Sequence, residues 1–177
     1  MSLNEVEQKI EALWKEAEQT QSSLSRLIAE VQADTRLSED GKKEEIAGLK
    51  EGHKNKLTAL RDTEKQMVND AILGLERRID SRIGNSASDI IAFRDAQDRA
   101  ERVENSEEAE RLMKRAIVTE DKSLAHAVFR RALETGYKTT IKSFTDAYPD
   151  LSDVARDLST LTKFRDSTFE RAMRYAA

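Results

Sequence analysis

Cysteine is missing from the 177 residues, and there are only one proline, six glycines and two histidines. Without cysteine there is no disulfide framework, no zinc–thiolate cluster and no thiol nucleophile. Two histidines are too few for a His-rich metal site, and the helical Glu-x-x-His pairs of carboxylate di-iron bundles do not occur. No run approaches the roughly 18 consecutive apolar residues of a membrane span. The opening Met1-Ser2-Leu3-Asn4-Glu5 lacks a basic segment followed by an apolar one, so no secretory signal is visible. The expectation is a soluble protein used inside the cell where it is made. A Gly-rich phosphate loop is also lacking: Gly41-Lys42 has no glycine five residues before it.

Charge is abundant but balanced. Charged residues make up 36% of the chain, with 30 Lys+Arg against 34 Asp+Glu, a formal net charge of −4. By that balance the chain as a whole is no generic polyanion binder, and the interleaving of signs reads as solvated helix faces. Scarce Pro and Gly with abundant Ala, Glu, Lys, Arg and Leu favour helix, so the expected fold class is all-α.

Ser2 suits an N-cap, and Glu5 stands where the reciprocal partner of a capping box belongs. From there Leu3, Val6, Ile10, Leu13, Ala17, Thr20, Leu24, Leu27 and Val31 follow one another at alternating spacings of three and four. This is the pattern of a left-handed coiled-coil seam, narrow enough to need a single partner helix. Asp34 to Ser38 interrupts it, and Ser38 caps a second helix opening on Glu39-Asp40. The repeat then changes to 11 residues, with Ile46, Leu57, Val68 and Ile79 in one row and Leu49, Leu60 and Ala71 in another. Gly48, Gly52 and Gly74 weaken this helix, whether to admit a close backbone or to let it bend. The helix is expected to stop at Gly84.

The short connection favours an antiparallel helical hairpin over residues 1–84, a rod, although pairing with another chain is the alternative. Pairing positions that sum to about 73 places Leu13 near Leu60 and Leu57 against Ala17. In the same register His53 falls opposite Thr20, and Glu64 opposite Lys9, polar layers that set register. The seam therefore comprises Val6, Ile10, Leu13, Ala17, Thr20, Leu24, Leu27 and Val31 facing Ile46, Leu49, His53, Leu57, Leu60 and Val68.

Among the aromatic residues only Trp14 precedes residue 85. Aromatic side chains supply the bulk of a globular core, so residues 85–177 are expected to form a compact domain of four or five helices. Helices are expected over about 87–104, after Asn105 or Ser106, after a Thr119 cap to Gly136, from Tyr137 to Pro149, and from an Asp150 cap onward. Ile90, Ile91, Phe169 and Met173 are counted among their apolar positions.

No constellation for catalysis stands out. His126, among apolar neighbours, reads as a satisfied or surface histidine, and His53 as a polar seam residue. The chain is therefore expected to be no enzyme, with no cofactor, no metal site, no small-molecule substrate and no membrane contact. An alternative is nucleic-acid association through Arg77, Arg78 and Arg82, with Lys114-Arg115 and Arg130-Arg131 as further basic pairs.

Three features together resemble a known class of protein. They are the heptad helix, the turn Asp34-Thr35-Arg36-Leu37-Ser38-Glu39-Asp40-Gly41 leading into a second long charged helix, and the run Asp121…Leu124-Ala125…Arg131-Ala132…Gly136-Tyr137…Phe144…Pro149…Leu151. The chain is similar to the small helical coiled-coil proteins encoded among the virion genes of actinobacterial tailed phages and prophages. The resemblance implies a capsid- or tail-associated structural or assembly role, in the virion or the host cytoplasm. It also implies protein partners, either further copies of the chain or other virion proteins.

Overall fold

The computed structural model describes residues 2–81 and 87–176. The protein is all-α. Among the described residues the order is α1 (Leu3–Ala33), α2 (Glu39–Asp80), α3 (Ala87–Glu101), α4 (Ser106–Val118), α5 (Lys122–Thr135), α6 (Lys138–Ala147), a 3-10 turn (Pro149–Leu151), α7 (Ser152–Asp166) and α8 (Thr168–Arg174). No described helix is long and apolar enough to cross a membrane.

Local chemistry sets most of the helix ends. Ser2 and Glu5 form the reciprocal capping box. The Ser38 hydroxyl accepts from the Gly41 N–H at 3.2 Å, and Asn105 caps α4 by accepting from the Glu108 N–H at 2.9 Å. Gly136 closes α5 in the left-handed conformation, φ 77°, which glycine adopts without a Cβ penalty. Two expected caps move. Thr119 ends α4, and the cap of α5 is Asp121, whose carboxylate accepts from the Leu124 N–H at 2.9 Å. Asp150 lies in the 3-10 turn, and what read as one last helix is two, broken at Ser167. Gly84, the expected end of the second helix, lies outside the described residues.

The chain forms two compact units, residues 1–70 with 165–177, and residues 71–164. The expected division at 84/85 is not where the units separate. Apolar periodicity continues unbroken along α2, so the change of unit inside that helix leaves no mark in its pattern.

In the first unit, α1 and α2 touch in the antiparallel sense. Trp14 bonds Glu64 at 2.7 Å, Glu16 pairs with Lys56 at 3.1 Å, and Ser23 bonds His53 at 3.2 Å. Ala17, Leu57, Leu60 and Tyr175 form one apolar cluster with Leu13 and Trp14 against it. All the seam positions are buried or half-buried, Val6 and Val68 completely. Gly48, Gly52 and Gly74 face open space, so none is required for close approach of another part of the chain.

The second unit packs α3 on α5, α4 on α5 and α6, and α5 on α6. Its centre is aromatic. Phe129 and Phe144 are both fully buried and stack with ring centroids 4.1 Å apart. Ala109, Met113, Ala116, Leu124, Val128, Val154, Ala155 and Leu158 are buried in the same unit. Leu75 and Ile79 of α2 are buried within this unit. Ile90 and Ile91 of α3 are half or more exposed, because the buried face of that helix runs through Ala96 and Ala100 instead.

Candidate functional site

The densest polar cluster lies in the first unit and centres on Glu64, a carboxylate with no exposed surface. Its Oε2 accepts from the Trp14 indole N–H at 2.7 Å and from the Tyr175 hydroxyl at 2.8 Å. Its Oε1 lies 3.7 Å from an Arg171 guanidinium nitrogen. Buried carboxylates are rare unless paired, and here two neutral donors and one cation share the charge. Burial and the bond to Glu64 push the Tyr175 phenol well above the ordinary tyrosine range, so it stays a donor.

The cluster's other half comes from α8 and the residues after it. Arg174 lies over the Trp14 ring at 4.0 Å, a cation–π contact. Gln21 of α1 donates to the Ala176 carbonyl at 2.6 Å and to the Arg174 carbonyl at 3.3 Å. The Arg171 guanidinium donates to the Arg165 carbonyl across the break at Ser167. The arrangement is an anchor: Glu64 Oε2 is held by two donors while its buried Oε1 faces Arg171 without a hydrogen bond, and its chemistry is to hold the α8 segment on α1 and α2.

The polar seam layer differs from its expected pairing. His53 meets Ser23 through Nε2 and the Leu49 carbonyl through Nδ1 at 2.8 Å, one turn along from Thr20. Thr20 is itself buried and donates to the Glu16 carbonyl at 2.8 Å. Glu64 was expected opposite Lys9, which is exposed; the partners that bury it are Trp14, Tyr175 and Arg171. The signal that finds Glu64 is the 11-residue row His53, Glu64, Leu75, which runs beside the two apolar rows.

In the second unit His126 is neither surface nor satisfied. It is fully buried, both ring nitrogens lack a hydrogen-bond partner, and the Phe144 and Tyr148 rings meet it edge-on at 5.4 and 6.0 Å. Burial first, then the positive charges of Arg130 and Lys122, push its pKa down to about 4 from the ordinary 6.5. The consequence has a definite sign. Well above pH 6.5 the imidazole is neutral whether the chain is folded or not. As the pH falls from 6.5 towards 4, the unfolded chain takes up a proton that the folded chain refuses, and stability drops by about 3 kcal/mol in total. Urea unfolding at pH 7 and pH 4.5 should show His126→Phe losing less stability on acidification than the unaltered protein. Equal losses would remove His126 as the cause.

The basic residues divide into engaged and free. Arg130 donates to Asp80 at 2.6 Å and lies over the Phe93 ring at 5.7 Å. Arg131 reaches the Val103 carbonyl, and Lys114 pairs with Glu110 at 3.3 Å. Arg130 and Arg131 are part-buried in the packing of the second unit, whereas Lys114 is exposed and pairs within its own helix. Arg77 and Arg78 are exposed on the last turn of α2, and Arg82 lies outside the described residues. Among the described residues no group of three or more His, Cys, Asp or Glu side chains is placed to hold a metal ion.

Compared with known proteins, the chain matches no family model, no curated protein and no solved structure.

Proposed function

We propose that this protein is a non-enzymatic structural or assembly component acting through protein–protein contacts, capsid- or tail-associated in a phage virion. One observation carries the reading. In the first unit side chains of α1 meet α2 at Trp14–Glu64, Glu16–Lys56 and Ser23–His53, yet large apolar side chains of the same unit face water. Phe169 and Met173 of α8 are 78% and 64% exposed. They stand four residues apart, on one face of a helix whose other residues are anchored through Arg171, Arg174 and Tyr175. Apolar side chains grouped on a rigid, anchored element mark a contact surface more often than scattered ones do.

Sedimentation velocity on the full chain tests the contact. The unaltered protein should show concentration-dependent association, and Phe169→Ser/Met173→Ser should reduce it while leaving helix content by circular dichroism unchanged. Identical monomeric behaviour of both forms at high concentration, together with absence of the chain from purified particles by mass spectrometry, would overturn the proposal.

A further inference from the structure

We propose that the cleft between α3 and α4 binds the phosphodiester backbone of a nucleic-acid strand, without regard to its sequence. The cleft encloses about 380 Å³, and its charged lining is Arg99, Arg102, Arg111 and Arg115 against the single carboxylate Glu108. No lysine contributes. The guanidinium is the side chain whose planar fork matches two phosphate oxygens at once.

The state of these groups matters more than their number. Among the described residues no ion pair or side-chain hydrogen bond engages the guanidinium of Arg102 or Arg115. Arg99 is 3.8 Å from Asp95, and Arg111 is 4.0 Å from Glu108, too far for a hydrogen bond. Glu108 is occupied elsewhere: its Oε2 accepts from the Glu104 N–H at 3.2 Å, holding the chain where it enters α4. Four cations thus converge with almost none of their donors used. Arg130, Arg131 and Lys114 of the same unit are all committed to partners.

The layout selects the ligand. Arg111 and Arg115 are one turn apart on α4, and Arg99 of α3 and Arg102 just past its end are three residues apart, so within each pair the Cβ atoms are about 5–6 Å apart. One phosphate cannot satisfy both members of both pairs, whereas consecutive phosphates of a strand can. The uncharged lining is Val103 and Leu112, with no aromatic ring to stack a base and no amide to read a base edge. Contacts are therefore confined to the backbone, which supplies affinity and salt dependence without sequence preference.

The test uses the full chain and a fluorescein-labelled 20-nucleotide oligothymidylate, followed by anisotropy from 50 to 200 mM salt. Log affinity should fall linearly with log salt with a slope of about −3, the value for four phosphates on a single strand. Arg102→Gln/Arg115→Gln should weaken binding about tenfold or more and shallow the slope by about 1.4. Arg77→Gln/Arg78→Gln should change neither. Inorganic pyrophosphate and a 20-residue polyglutamate should each displace the strand only in large excess. The proposal fails if the strand does not bind at 50 mM salt, or if the 77/78 pair weakens binding as much as the 102/115 pair. It fails equally if pyrophosphate competes at strand-like concentrations, which assigns the cleft to a free phosphate. Polyglutamate doing so assigns it to an acidic protein surface and also overturns it.

Discussion

Glu64→Ala should destabilise the protein by about 3–5 kcal/mol, the range found when one member of a buried charged network is removed. The substitution deletes the acceptor shared by the Trp14 indole and the Tyr175 hydroxyl, and leaves Arg171 facing a void. Each orphaned buried donor costs about 1–3 kcal/mol, and the methylenes of Glu64 vacate packed space beside them. Glu64→Gln keeps an oxygen for the two donors but turns an amide N–H₂ towards Arg171, so a smaller loss is expected. Trp14 is the only tryptophan, so urea unfolding followed by its fluorescence reports this unit directly. An alanine variant within 1 kcal/mol of the unaltered protein would show that Glu64 does not hold the α8 segment.

Phe129→Ala is expected to cost about 3–5 kcal/mol in the second unit, through lost transfer energy and the cavity left behind. Phe129 has no exposed surface, and its ring stacks on Phe144 with 16° between the planes. Phe144 in turn meets His126 at 5.4 Å and Tyr148 at 4.8 Å, so the loss propagates along one chain of rings. Phe129→Leu refills most of the volume and should cost well under half as much. Near-UV circular dichroism through the urea transition, read beside the Trp14 fluorescence that reports the first unit, follows Tyr137 and Tyr148 of this unit. If Phe129→Ala unfolds at the same midpoint as the unaltered protein, the aromatic stack is not what stabilises the unit.

Much of the helical pattern was legible because its determinants are local. The 3–4 spacing from Val6 to Val31 marks the buried face of α1, and those positions are buried or half-buried. Ser2 with Glu5, Ser38 and Gly136 announce helix ends through hydrogen bonds or backbone conformations that involve only neighbouring residues. Thr119 misled because it lies beside a better cap. Asp121 is two residues on, and Glu120 between them takes a positive φ of 53° that redirects the chain. Phe169 and Met173 misled in another way. Their apolar character promised burial, but α8 turns a different face to its partners, the one carrying Arg171, Arg174 and Tyr175.

The candidate sites were less legible. Glu64 carried a faint signal, the 11-residue spacing from His53 and to Leu75, but a charged residue in a charged helix reads as solvated until a neighbour covers it. Trp14 lies 50 residues from Glu64 and Tyr175 lies 111 residues away. The four arginines of the α3–α4 cleft are likewise ordinary members of charged helices. Only the packing of α3 and α4 on α5 leaves Arg102 and Arg115 without counter-ions while Arg130 and Lys114 acquire theirs.

What the amino-acid order determined by itself is the all-α class, most helix ends and the buried stripe of α1 and α2. Each depends on periodicity and on hydrogen bonds spanning three or four residues. What tertiary structure alone decided is which charges are buried, which are paired and which stay free. It also decided that the last residues join the first unit rather than the aromatic one. Desolvation and ion pairing depend on distances between segments that lie far apart along the chain, and no local pattern encodes those distances.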